Sequence, residues 1–267
     1  YNICLGNLSQ SRNKFLKEDA KALRKQLQNN GAEKIISYFD QGYTEDHRWG
    51  TGHSVARENY QYLLSKILEN KWLGLVIKPK KPEHIRKILG GVNSILNEAL
   101  ATGRCHIYWS NDSFSAKNFE NPPAQGAMVS DVAIHEMMVA GTAGVEAALT
   151  GTPTLMIDRY RFSKSQFYKL GEGKVVFNDL QTLWKRLQEH WLHEPINGFG
   201  DWSPIMDDID PFRDGKAAER LTTFLHWLDE GFSNGLGKDQ NLEAAVSKYA
   251  DAWGMDKVFK YPDTYTF

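Results

Sequence analysis

The 267-residue chain carries 32 Lys+Arg against 33 Asp+Glu, a formal charge of -1. The length exceeds the ~100 to 200 residues usual for one domain, so an α/β domain with an appendage accounts for it, and the balanced charge argues against a broad nucleic-acid-binding surface. Cys4 and Cys105 lie in apolar stretches at no metal or redox spacing, which points to a reducing, cytoplasmic setting, and no run approaches the roughly 18 apolar residues of a membrane span.

Taken in chain order, short apolar runs alternate with amphipathic stretches, the pattern of a parallel sheet with crossover helices. Residues 2–8 read as the first strand. Residues 14–30 read as a helix whose Phe15, Leu16, Ala20, Leu23 and Leu27 recur at helical spacing, stopped by Gly31. Strands follow at 34–39 (KIISYF) and 72–77 (WLGLVI), separated by a polar loop at 40–53 and a helix at 54–70. After Pro79 and Pro82 a helix is expected at 83–102, then strands at 105–109, 128–135, 154–157 and 174–177, with a short helix at 142–150. Beyond Asp179 the helical segments 180–191, 215–228 and 242–253 take over. The expected organisation is thus a Rossmann-like domain at 1–178, a mainly parallel sheet with helices on both faces, and a helical appendage at 179–267.

The chemistry concentrates in SDVAIHEMMVAGTAGVEAALTGTPTLMID, residues 130–158. A small-residue turn at Gly141, Thr142 and Ala143 opens a helix, where backbone N–H groups can meet a phosphate, and Glu146 follows one turn later. On spacing alone, these glycines serve tight helix–sheet packing about as well. The third strand runs into Lys78-Pro79-Lys80-Lys81, a basic cluster at the carboxyl edge where such sheets bind ligands. The turn holding Gly6, Asn7 and Ser9 is expected at the same edge. It lacks G-x-G-x-x-G, which disfavours a dinucleotide cofactor. In the loop DQGYTEDHRWGTGH, Asp46, His47 and His53 are the catalytic candidates, at no zinc spacing. The acids at Asp207, Asp208 and Asp210 do not follow a calcium-loop pattern, so no metal is expected, and Asp214 reads as a helix N-cap.

The order Asp in a strand, then G-T-x-x-x-E-A-x-x-x-G-x-P, then an apolar strand resembles the donor-binding half of GT-B glycosyltransferases and the related UDP-N-acetylglucosamine 2-epimerase. The segments FDQGYTEDHRWG, GTAGVEAALTGTP, GEGKVVF, GFGDWSP and DPFRDGKAAERL are similar to bacterial surface-carbohydrate biosynthesis proteins. That resemblance implies transfer of a sugar from a CMP- or UDP-linked donor to a glycan or lipid-linked acceptor of a surface polysaccharide. It assigns the phosphate to Gly141, Thr142 and Ala143 and the ribose to Glu146, with Lys78 and Lys80 near the phosphates and no further cofactor. Related transferases carry a His-Pro or Arg/Lys-Pro pair after the third strand, and here the pair is Lys-Pro. GT-B enzymes have two Rossmann-like halves, and one is evident here; peripheral association with the inner membrane face would come through the other half or through assembly partners. An epimerase or hydrolase of the same fold and a non-catalytic assembly module are the alternatives.

Overall fold

The computed structural model describes residues 1–45, 52–109, 121–136 and 141–260. In chain order the elements begin with β1 (Asn2–Ile3), α1 (Asn13–Asn29), β2 (Lys34–Phe39), α2 (His53–Glu69) and β3 (Leu73–Lys78). They continue with α3 (Ile85–Leu89), α4 (Asn93–Ala101), β4 (Cys105–Ile107), α5 (Pro123–Val129), β5 (Val132–His135), α6 (Thr142–Ala148), β6 (Thr154–Ile157) and β7 (Val176–Phe177). The chain then becomes helical through α7 (Leu180–Leu192), α8 (Ser203–Ile209), α9 (Ala217–Ser233) and α10 (Lys238–Trp253), ending in β8 (Val258–Phe259). Two compact units divide it: Asn13–Met206, and Tyr1–Arg12 together with Asp207–Phe267. The sequence boundary at 178 falls within the larger unit.

The larger unit is an α/β Rossmann-like fold. Its six parallel strands run in the order β4-β3-β2-β5-β6-β7. Two βαβ runs thus start side by side, at β2 and β5, and move outward in opposite directions, which creates a topological switch point between them. Alternation along β2 feeds both faces: Ile36 and Tyr38 enter one apolar cluster with residues of α2, α3, α4 and α7, whereas Ile35 and Phe39 turn to the side covered by α1, α5 and α6. Gly74 in β3 is required by this packing, because a Cβ there would lie 2.9 Å from Ala32 Cβ. Arg104, buried at the amino end of β4, donates to the carbonyls of Ile67, Asn70 and Leu73 and so closes the end of α2 onto the sheet.

The smaller unit corrects the reading of the first strand. Only Asn2–Ile3 is extended, and it pairs antiparallel with Val258–Phe259 rather than joining the parallel sheet. The physical reason lies just beyond it. Gly6 turns at φ +83 with the Asp210 carboxylate 2.9 Å from where a Cβ would stand, and that carboxylate accepts from the Asn7, Phe212 and Arg213 amides. Gly6, Asn7 and Ser9 therefore form a tied-down turn in this unit, with Ser9 N donating to Asn7 Oδ1, and they do not follow a strand of the parallel sheet.

Several elements differ from their sequence readings for local reasons. The helix expected at 83–102 breaks at Gly90, whose φ of +54 suits glycine, and restarts as α4. The strand expected from 128 begins at Val132, because 123–129 opens with Pro123 as helix α5. Phe15 is exposed rather than inward, with Lys14 Nζ 4.9 Å from its ring. Asp214 does not cap α9 by its side chain; it pairs with the buried Arg220. Among the described residues no helix is long and apolar enough to cross a membrane, and no cluster of His, Cys, Asp and Glu could hold a metal.

Candidate functional site

Strand register brings the chemistry together. Phe39 pairs with Lys78 on one side and with His135 on the other, so the last residues of β2, β3 and β5 stand abreast at the carboxyl edge, across the switch point. A cavity of about 250 Å³ opens there. Its walls come from five separate segments: Phe39 to Gln41 at the end of β2, Lys78 to Lys80 at the end of β3, Pro123 at the start of α5, His135 at the end of β5, and Thr142, Ala143 and Glu146 on α6.

Each wall has a definite electrostatic state. Asp40 is buried, and burial pushes its carboxyl up to about 7, against the hydrogen bonds it accepts from the Lys80 amide and, at 2.8 Å, from Tyr60 Oη. Lys78 is lowered by burial, while the nearby Asp40, Glu146 and Glu83 act to keep it charged. Its Nζ donates to the Pro79 carbonyl at 3.2 Å. His135 is pushed down to about 4 by burial, so its imidazole is neutral near pH 7. Among the described residues neither of its ring nitrogens makes a hydrogen bond of good geometry. The cavity thus combines a cation, a carboxyl poised near neutrality and a neutral imidazole, a set suited to holding an anion and exchanging a proton beside it.

Behind this wall lies a polar cluster that periodicity did not reveal. Glu136, buried beside His135, accepts from the hydroxyls of Tyr38 and Tyr43, and burial raises its carboxyl. The two hydroxyls are 3.1 Å apart, and the ring of Tyr38 meets that of Tyr60 edge-on. KIISYFDQGY presents an apolar strand and a polar loop, and nothing in it shows that the hydroxyls of Tyr38, in the strand, and Tyr43, beyond it, meet at one carboxylate. In the sequence Asp40 reads as the start of a loop and His135 as a strand residue, and neither position carries a local signal of the cavity.

Of the residues singled out in the sequence, Lys78, Lys80, Thr142, Ala143 and Glu146 line the cavity. Gly141 precedes this wall as the N-cap of α6 and is not itself part of the lining; at φ +59 a Cβ there would run into the Phe167 ring. Gly144 likewise admits Trp202, 3.1 Å from its Cβ position. His53 sits at the start of α2 with Nδ1 2.5 Å from Glu45, and it is not a wall of the cavity. Asp46 and His47 lie outside the described residues. Gly6, Asn7 and Ser9 belong to the other unit.

The fold has a known counterpart. The chain is similar to the solved S. aureus MnaA–UDP complex, with a TM-score of 0.50 and 16% identity over 88% of this chain and 55% of that one. A Listeria monocytogenes protein designated a UDP-N-acetylglucosamine 2-epimerase is similar at a TM-score of 0.49 and 16% identity, over 83% of this chain and 51% of that one. The chain spans about half the length of these structures. No protein-family model matches the sequence. No curated protein matches it either.

Proposed function

We propose that the larger unit binds a nucleotide sugar at the switch-point cavity and belongs to an enzyme that acts on the sugar by acid–base chemistry, of the epimerase or hydrolase class. The observation that carries this reading is the convergence of Lys78, Lys80, Asp40, His135 and Glu146, from separate strands and a helix, on one cavity at the edge where such sheets take ligands. Lys78 and Lys80 would hold the phosphates, and Glu146 would accept from the ribose hydroxyls. Thr142 and Ala143 would form the floor beneath the phosphates. A cavity of about 250 Å³ suits part of a nucleotide sugar rather than all of it. Asp40, with its carboxyl at about 7, can both give and take a proton in the neutral range. The UDP held by the solved complex of similar fold makes uridine the first nucleotide to test.

Transfer of the sugar to a growing bacterial surface polysaccharide is the second reading, favoured by the resemblance of GTAGVEAALTGTP and its companion segments to surface-carbohydrate proteins. The two differ in their need for an acceptor. With a labelled UDP-sugar and no acceptor, an isomer or free sugar supports the first, whereas product formed only on adding a glycan or lipid-linked acceptor supports the second. Binding is tested first, by melting curves with UDP, CMP and GDP. A nucleotide at about 100 times its dissociation constant should stabilise the protein by about 2.7 kcal/mol. Glu146→Gln should weaken it by roughly 1.5 to 3 kcal/mol without loss of folding. If no nucleotide or sugar nucleotide binds, the proposal fails.

A further inference from the structure

Beyond the cavity, the carboxyl edge continues into a cationic surface. The chain from Lys78 reads KPKKPEHIRK, and in it Lys80, Lys81, His84, Arg86 and Lys87 are exposed, while Pro82, Ile85, Ile88 and Leu89 are buried and anchor the segment. The alternation is that of a short helix laid on the core, with its cations outward. Lys80, Lys81, Arg86 and Lys87 form no ion pair with a described carboxylate. At the end of β4, Trp109 is 40% exposed, and Arg86 Cζ stands 4.8 Å from its ring centroid, so the indole and the cations share one surface. In a chain of net charge -1 this concentration of positive charge is local.

We propose that Lys81, Arg86, Lys87 and Trp109 form a docking surface for a bilayer carrying anionic headgroups, set beside the mouth of the cavity. Two features favour a lipid surface over a small free anion. Arg86 and Lys87 face outward from α3 and Lys81 precedes it by one turn, so each can meet a different headgroup rather than converge on a common pocket. The exposed indole, apolar over its faces and polar at its N–H, is the side chain that settles at the headgroup level. A cation near an anionic leaflet attracts it by about 1 kcal/mol, or roughly five-fold in affinity, and the attraction fades over a Debye length.

The test is co-sedimentation of the protein, with no nucleotide present, on vesicles of phosphatidylcholine with or without about one third phosphatidylglycerol. Binding to the anionic vesicles at low salt, little to the neutral ones, and loss near 0.5 M salt are expected. Lys81→Ala with Lys87→Ala should weaken binding by about 25-fold, while the double Arg replacement at these positions restores it. Trp109→Ala should weaken it further with no change in melting temperature. Binding that is absent from anionic vesicles, or equal in the double Ala variant, overturns the proposal. So does binding to a soluble polyanion such as heparin that exceeds binding to the vesicles. The nucleotide reading can fail without affecting any of these outcomes, because no nucleotide enters the assay.

Discussion

At the scale of single residues, Asp40 and His135 make opposite demands on pH. The carboxyl of Asp40 is raised to about 7 in the folded protein from an ordinary 3.8, so on raising the pH the unfolded chain gives up this proton first. Stability from this group is greatest below about pH 4 and falls until about pH 7, by on the order of 4 kcal/mol in all. The imidazole of His135 is lowered from 6.5 to about 4, so its burial costs stability as the pH falls through that window. Asp40→Asn should therefore gain on the wild type as pH rises from 4 to 7, and His135→Asn should gain on it as pH falls. Melting curves at a series of pH values read both slopes. Parallel curves for the Asp40 variant and the wild type would mean that the carboxyl is not held protonated. Gly141 offers a second test. Alanine there would face both a left-handed backbone and the Phe167 ring, at an expected cost of about 2 to 4 kcal/mol. Urea denaturation of Gly141→Ala alone and with Phe167→Leu separates the two. Equal losses in both backgrounds would acquit Phe167.

At the scale of elements, the smaller unit depends on close approach of α9 and α10. Gly231 lies in α9 where a Cβ would stand 1.8 Å from Asn241 Oδ1 of α10, and the buried Asn241 uses its Nδ2 to donate to the Leu228 carbonyl at 2.7 Å. Helical propensity alone would favour alanine over glycine by about 1 kcal/mol. The crossing reverses that preference. Gly231→Ala should displace Asn241, break its hydrogen bond and destabilise the pair by at least about 2 kcal/mol, seen as faster amide exchange in α9 and α10. Unchanged exchange would show that the helices separate easily at this point. In the sheet unit the decisive elements are short. β4 and β7 span three and two residues, so their pairing rests on neighbours such as Arg104 rather than on strand length.

At the scale of the whole molecule, the strand order decides where a ligand can act. Because β2 and β5 start runs that diverge, helices leave a crevice between their carboxyl ends, and residues about 40, 80, 135 and 145 become neighbours. Hydrogen exchange with a bound nucleotide should accordingly slow at three separate stretches, after β2, after β3 and along α6, while the amino ends of the same strands stay unchanged. Protection confined to one of these stretches would place the ligand elsewhere.

Much of this was legible from the chain alone. The near-continuous apolar runs at Lys34–Phe39 and Leu73–Lys78 report strands covered on both faces, and the helical spacing in α1, α2 and α7 reports burial of one face. The basic cluster after β3 and the small-residue entry to α6 were visible for the same local reasons. Tertiary structure alone decided which strands are neighbours, and with that the meeting of Lys78 with His135 across Phe39. It also decided that Asn2–Ile3 leaves the parallel sheet, that Phe15 stays outside, and that the Phe167 ring lies where a Cβ of Gly141 would stand. Each of these depends on a partner more than 20 residues away or on solvent left uncovered by one, and local periodicity carries no information about that.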